Sequence, residues 1–159
     1  ADIELNDLRP FQKMIDYGLA GIMPAHVIYP NIDQNPAGFS STWLQKILRA
    51  EMQFEGCIFS DDLSMRGAAD YLESIIMRAR TALNAGCDMV LVCNNPQGVD
   101  ALLSQLQWEM SATSLSRLAR MHARNNFGSM TKLRENADYV QAVREIGSIG
   151  CENLHLPLQ

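Results

Sequence analysis

A repeated pattern of short apolar runs and amphipathic helices restricts this chain to a small set of folds. Each run is continuous rather than alternating, which is typical of strands buried on both faces of a parallel sheet. Polar residues follow the runs at a near-constant spacing, because His26, Asp61 and Asn94 lie 35 and then 33 residues apart. That spacing leaves room for the helix that a parallel crossover requires. The predicted strands are Ala20–Ala25, Gly56–Ser60 and Asp88–Cys93.

Three parallel strands alone would leave an open apolar edge, so the predicted sheet needs further strands. Neither GxGxxG nor GxxxxGK[ST] follows a predicted strand, which counts against a doubly wound nucleotide-binding sheet. We therefore predict an α/β fold consisting of the C-terminal three βα units of a TIM (β/α)8-type barrel, incomplete, with a helical tail. Residues 1–110 are assigned to the barrel, and residues 111–159 to a helical closing segment of the same domain.

Helical periodicity and end signals predict where the helices lie. The first helix, apolar on one face from Leu8 to Ile15, is expected to have an Asn6 cap and Pro10 in its first turn, and to end at Gly18. The later helices are predicted at 41–52 with a Ser40 or Ser41 cap, at 71–85 before Gly86, at 97–106, after a Ser111 or Thr113 cap, and after Thr131.

Composition excludes several classes of protein. The chain has 159 residues with a net charge of −5 and no Lys/Arg run, so binding to nucleic acid or to a membrane surface is not expected. No apolar stretch reaches the roughly 18 residues of a membrane span. Cys57, Cys87, Cys93 and Cys151 form no CxxC pair and are interpreted as free thiols, the first three of them buried. Free thiols favour a reducing compartment, and no cofactor is expected.

Two adjacent carboxylates, Asp61 and Asp62, follow the second predicted strand directly. The carboxyl ends of parallel strands form the active face of such folds, which makes both side chains candidates for chemistry. The alternative is that one of them only caps the following helix. Another alternative is a metal site formed by Asp61, Asp62 and His26, although no HxH or HExxH spacing supports it.

The other polar residues at strand ends also have two interpretations. His26 is either a ligand-binding residue or a partly buried structural histidine. Asn94 belongs to an Asn-Asn-Pro sequence, which also fits an ordinary turn before a helix. His122 and His155 are interpreted as structural.

Residues 47–64 resemble the active-site signature of glycoside hydrolase family 3. In order, they contain an aliphatic pair, the basic Arg49, a spacer, a glycine, an apolar strand and the Ser60-Asp61 dipeptide. In that family the Asp after the Ser is the nucleophile, so the resemblance implies that Asp61 has this role.

Segments 23–29, 59–65 and 85–94 further resemble the bacterial β-N-acetylglucosaminidases of cell-wall recycling. The resemblance implies a cytoplasmic, retaining exo-enzyme that removes terminal N-acetylglucosamine from 1,6-anhydro-muropeptides through a covalent intermediate. It implies GlcNAc-1,6-anhydro-MurNAc and its peptides as partners, with His26 at the position of a residue that lines the sugar site. Asp62 either contacts sugar hydroxyls, orients the neighbouring loop or caps the following helix. The acid/base of such enzymes is a His–Asp pair on a D-x-H loop, expected in an N-terminal half of the barrel that is missing here. The alternative is a non-catalytic sugar-binding or structural barrel fragment.

Overall fold

The computed structural model describes residues 6–122 and 128–149, and the chain divides into two compact units, Ala1–His122 and Ala123–Gln159. The strands of the first unit are β1 (Gly21–Ile22), β2 (Ile28–Tyr29), β3 (Asp33–Pro36), β4 (Cys57–Asp62) and β5 (Met89–Leu91). Its helices are α1 (Arg9–Asp16), a 3₁₀ turn (Ala37–Phe39), a π-helix (Thr42–Glu51), α2 (Arg66–Ala69), α3 (Ile75–Ala85), α4 (Pro96–Gln105) and α5 (Ala112–Arg120). The second unit contains α6 (Met130–Glu135) and α7 (Ala137–Ser148).

A parallel three-stranded sheet with the order β1-β4-β5 forms the centre of the first unit. In the register, Gly21 pairs with Cys57 and Phe59 pairs with Met89. This arrangement confirms the predicted α/β fold with a parallel sheet. Cys57, Ile58 and Ser60 of the central strand β4 are buried and Phe59 is partly buried, in keeping with the continuous apolar sequence of this segment.

The predicted end of the second strand was wrong, because β4 does not stop at Ser60. The strand continues through Asp61 and Asp62, and Asp62 pairs with Leu91 of β5. The amide of Leu63 then donates to the carbonyl of Leu91 at 2.9 Å. Strand pairing depends on the backbone, so it extends beyond the apolar run to side chains that are partly exposed at the end of the sheet. The other two strands are shorter than predicted, at Gly21–Ile22 and Met89–Leu91.

An antiparallel hairpin of β2 and β3, absent from the sequence prediction, follows β1. Its strands have two and four residues and include a proline, so they are too short for an alternating pattern to reveal them. The Ser40 hydroxyl donates to the Asp33 carboxylate and accepts from the amide of Trp43, which links β3 to the start of the π-helix. The hydrogen bond from Ser40 lowers the pKa of Asp33.

Several helix ends agree with the predicted signals. Gly18 and Gly86 both have positive φ, at 87° and 124°, and follow α1 and α3 as predicted. The Ser111 hydroxyl caps α5 by accepting from the amide of Ser114. The predicted Asn6 cap was wrong, because α1 begins at Arg9 with no side-chain cap.

Helix boundaries differ from prediction at two places. The predicted helix at 71–85 begins only at Ile75, after the separate short helix α2. The helix predicted after Thr131 is two helices, which meet at Asn136, and the Asn136 side chain accepts from the amide of Tyr139. Helix α5 belongs to the first compact unit, which extends to His122, whereas the proposed division at residue 110 stays a prediction. The predictions for Cys151, His155 and the irregular end lie outside the described residues.

The core of the first unit lies between the sheet and the helices that cover it. Small residues of α3, Ala79 and Ala82, are fully buried and let this helix approach the sheet closely. The largest fully buried apolar side chains, each at most 1% exposed, are Leu44, Phe54, Ile58 and Leu63.

Candidate active site

The three predicted strand ends meet around Asp62, the last residue of the central strand. The Nε2 atom of His26, beyond β1, lies 3.1 Å from the carbonyl oxygen of Asp62. The amide of Cys93, beyond β5, donates to Asp62 Oδ1 at 2.9 Å. A carbonyl can only accept, so the contact between His26 and the Asp62 carbonyl places the proton of the His26 ring on Nε2. Asn94 follows Cys93 with a φ of 53° and is exposed.

The pairing of β4 with β5 shifts at this end of the sheet. Phe59 pairs with Met89 and Asp62 pairs with Leu91, so three steps along β4 correspond to two along β5. The extra residue is a β-bulge, a feature that changes the direction of side chains and is frequent beside active sites. Asp61 lies within this bulge.

The Ser60 hydroxyl replaces a backbone acceptor at the bulge. Ser60 is fully buried, and its Oγ accepts from the amide of Leu91 at 3.0 Å. The carbonyl of Leu91 accepts from the amide of Leu63. A hydroxyl side chain therefore satisfies an amide that the register shift would otherwise leave without a partner. The sequence signal for this role was a serine directly after the apolar residues of the strand.

The carboxylate of Asp61 is partly exposed and has one hydrogen bond among residues 6–122 and 128–149. Its Oδ1 accepts from the amide of Asp62 at 2.8 Å. The second carboxylate oxygen is thus available to a ligand. A partly exposed carboxylate held at one oxygen at the active face of a parallel sheet is suited to nucleophilic attack.

The carboxylate of Asp62 mainly binds backbone amides. Its Oδ1 accepts from Ser64 at 2.8 Å as well as from Cys93. The carbonyl of Asp62 also accepts from the amide of Met65 at 3.1 Å, in addition to the His26 contact. These bonds join the loop after β4 to the end of β5.

An aromatic stack beside the strand ends was not predicted. The ring of His26 is stacked on Phe39, with 5.0 Å between ring centroids, and Phe39 is stacked on Tyr71 at 5.5 Å. The Tyr71 hydroxyl donates to Asn35 of the hairpin. Gly67 packs against His26 so closely that a Cβ there would lie 3.2 Å from the Cβ of His26. The stack therefore restrains the ring that contacts Asp62.

A buried arginine, also missed from the sequence, binds the loop between β4 and α3. Arg78 is 9% exposed and donates to the carbonyls of Leu63, Leu72 and Glu73. The sequence feature that could have revealed Arg78 is its position on the buried face of the predicted helix, one turn from Ala82. A charged residue there indicates a bound partner, since buried charges are costly unless hydrogen-bonded.

Arg49, the basic residue of the signature, lies at the opposite end of the sheet and binds Asp88. The Arg49 Nη2 atom is 2.8 Å from Asp88 Oδ2, and the Asp88 side chain is 1% exposed. Ser114 and Arg117 of α5 bind the other oxygen of Asp88. Burial lowers the pKa of the Arg49 guanidinium, and the nearby Arg117 lowers it further. These ion pairs and hydrogen bonds stabilise the fold at this end of the sheet, as expected for the amino ends of parallel strands.

The predicted state of the cysteines was correct for two positions and wrong for one. Cys57 and Cys87 are buried free thiols, but Cys93 is exposed, because β5 ends before it. Burial raises the pKa of the Cys87 thiol to about 12.

Within 6–122 and 128–149, no three side chains of His, Cys, Asp or Glu are grouped closely enough to hold a metal ion. In the same ranges, no helix has both the length and the apolar character that crossing a bilayer requires.

Comparison with known proteins identifies the family. Residues 1–121 match the family described as the glycosyl hydrolase family 3 N terminal domain. A β-hexosaminidase of Nitrosospira multiformis is 56% identical over 158 residues, which are 99% of this chain and 45% of that protein. The chain thus spans less than half the length of this curated relative.

Solved structures agree with the sequence comparison. Native NagZ from Neisseria gonorrhoeae matches 89% of this chain with a TM-score of 0.74 and 39% identity, using 39% of its own length. The same protein in complex with N-trifluoroacetyl-D-glucosamine matches 91% of the chain with a TM-score of 0.73 and 38% identity, using 40% of its length. The parallel α/β fold, the signature around Asp61 and these similarities together show that the chain belongs to glycoside hydrolase family 3.

Proposed function

We propose that this chain is part of a retaining exo-β-N-acetylglucosaminidase in which Asp61 is the nucleophile. The observation that carries the proposal is the position of Asp61 at the end of the central strand. Its partly exposed carboxylate lies where the ends of β1, β4 and β5 converge. The β-hexosaminidase relatives support the class of reaction.

The proposed chemistry uses the two oxygens of the Asp61 carboxylate differently. The amide of Asp62 holds Oδ1, which leaves the other oxygen to attack the anomeric carbon as the bond to the leaving sugar oxygen breaks. A covalent glycosyl-Asp61 ester forms and is then cleaved by water. The carboxylate is regenerated, and the configuration at the anomeric carbon is retained.

The proposed reaction needs an acid/base that this chain does not supply. That group protonates the leaving oxygen and later removes a proton from water. No Asp lies two residues before His26, His122 or His155, so none of the three forms a D-x-H arrangement. We assign this role to a His–Asp pair upstream, in a barrel of which residues 1–110 form the last three βα units and residues 111–159 the closing segment.

The proposed substrate is a terminal N-acetylglucosamine on an anhydro-muropeptide, cleaved in the cytoplasm. The resemblance of segments 23–29, 59–65 and 85–94 to cell-wall recycling enzymes supports this choice. A relative that binds N-trifluoroacetyl-D-glucosamine supports a glucosamine-type sugar. Contact of His26 with the sugar stays a prediction, since its Nε2 already binds Asp62.

The test measures hydrolysis of 4-nitrophenyl N-acetyl-β-D-glucosaminide by the isolated chain and by the full-length polypeptide that contains it. In the full-length protein, Asp61→Asn should lower kcat by ~10⁴–10⁶-fold, because it removes the nucleophile. Asp100→Asn, on the exposed face of α4, is the matched control and should leave kcat unchanged. The isolated chain should release almost no nitrophenol.

The outcomes separate the alternatives. Asp61-dependent release by the isolated chain would show that the acid/base lies within these residues. Full-length protein without Asp61-dependent activity would overturn the glycosidase assignment and favour a non-catalytic barrel fragment.

A further inference from the structure

We propose that Ser60 and Asp62 are positioning residues whose side chains clamp the bulge that carries Asp61 onto strand β5. The inference rests on the proposed function, in which Asp61 attacks the sugar. Of the roles left open for Asp62, it favours an orienting role over contact with the sugar.

The clamp uses one amide of β5 and one amide two residues beyond its last residue. The amide of Leu91 donates to Ser60 Oγ at 3.0 Å, and the amide of Cys93 donates to Asp62 Oδ1 at 2.9 Å. Parallel pairing would ordinarily give such amides backbone carbonyls as acceptors. Here side chains on both sides of Asp61 accept instead, because the register shift displaces the backbone of β4.

The clamp also sets the direction of the Asp61 carboxylate. The amide of Asp62 is the donor to Asp61 Oδ1. The position of this donor depends on Asp62, whose side chain binds Ser64 and Cys93 and whose carbonyl binds His26. Release of the Asp62 side chain would therefore move the donor that orients the nucleophile.

Misplacement of the nucleophile is expected to affect the chemical step more than binding. Reacting atoms must approach to about 3–3.5 Å, and a shift of about 1 Å can lower the rate ~10²-fold. A residue that instead binds the sugar equally in the ground and transition states would change KM.

Conservative variants distinguish a clamp from a charge or a sugar ligand. Asn at position 62 keeps a carbonyl oxygen with two lone pairs, so it can still accept from Ser64 and Cys93. Thr at position 60 keeps the hydroxyl acceptor and suits a strand. Ala at either position removes the acceptor.

The experiment measures kcat and KM of the full-length polypeptide with 4-nitrophenyl N-acetyl-β-D-glucosaminide, alongside the melting temperature. Asp62→Ala and Ser60→Ala should each lower kcat by ~10–100-fold with KM nearly unchanged. Asp62→Asn and Ser60→Thr should restore most of that loss. Ser104→Ala, on the exposed part of α4, controls for a simple loss of a hydroxyl.

Other kinetic results for these variants would contradict the clamp. If Asp62→Asn lowers kcat as much as Asp62→Ala does, the charge of Asp62 matters rather than its acceptor. If the variants raise KM and leave kcat normal, Asp62 contacts the sugar. If the alanine variants do not fold, Asp62→Asn decides through both constants. The clamp predicts that kcat and KM both stay near the unsubstituted values, whereas a lowered kcat would mean that the charge matters and a raised KM would mean a sugar contact. An inactive Asp61→Asn with unchanged Asp62→Ala kinetics would overturn the clamp only. A fully active Asp61→Asn would overturn the proposed function itself.

Discussion

Two arginine–aspartate pairs of the first unit, Arg49–Asp88 and Arg66–Asp70, differ mainly in their exposure to water. The side chains of Arg49 and Asp88 are 9% and 1% exposed, whereas those of Arg66 and Asp70 are 91% and 68% exposed. Water and salt screen an exposed pair, but a buried carboxylate that loses its partner keeps the full cost of desolvation. The same pair of residue types therefore contributes differently at the two places.

We expect Arg49→Met to lower the free energy of unfolding by about 3–5 kcal/mol, because the buried Asp88 carboxylate then keeps only the more distant Arg117 as an ion-pair partner. The carbonyls of Phe54 and Gly56 also lose their charged donor. Arg66→Met, the matched change at the exposed pair, should cost less than about 1 kcal/mol. Urea denaturation of the full-length polypeptide, followed by fluorescence, measures both. Equal effects of the two substitutions would contradict this account.

Among the elements, the connection from β4 to α3 depends on one side chain of the helix it leads into. Arg78 lies in the first turn of α3 and binds the carbonyls of Leu63, Leu72 and Glu73. The loop between these carbonyls includes Ser64, whose amide binds Asp62. Helix α3 thus holds both ends of the loop that follows the candidate nucleophile.

We expect Arg78→Met to expose this loop and to destabilise the fold by about 3 kcal/mol, because three carbonyls lose a charged donor. Arg80→Met, on the exposed side of the same helix, is the control and should have little effect. Hydrogen exchange followed by mass spectrometry should show faster exchange in residues 63–73 for the first variant only. Unchanged exchange there would show that Arg78 does not hold the loop.

Over the whole molecule, the described sheet has two free edges. In residues 6–122 and 128–149, β1 and β5 each pair with β4 alone. An apolar hollow of about 330 Å³ lies beside β5, between Val90 and Val92 of the strand region and α4. Leu103 of α4 borders this hollow and is 81% exposed. Free edges and exposed apolar surface favour association with another chain or segment.

We expect the isolated chain to self-associate through this edge. Leu103→Lys should reduce the association without lowering the melting temperature, because the side chain is already exposed and a charge opposes apolar contact. Ser104→Lys adds the same charge at the next position and is the control. Light scattering across a concentration series measures the effect, and a monomer at all concentrations would contradict the expectation.

The amino-acid sequence by itself determined the parallel α/β class, two glycine helix stops and the family. Continuous apolar runs, helix-length spacing and the signature at 47–64 are local patterns, so a linear reading detects them. The same patterns located Asp61 and Asp62 at the carboxyl end of the central strand, and their roles in the site stay predictions.

Only the tertiary structure decided what these residues contact. The bulge at Asp61, the use of Ser60 and Asp62 as acceptors and the pairing of Arg49 with Asp88 depend on residues about 30 to 40 positions apart. Such contacts arise when strands align in a particular register, and a one-residue shift in that register has no counterpart in hydrophobic periodicity. The hairpin of β2 and β3 was missed for a related reason, because its pairing is formed by backbone groups that every residue carries.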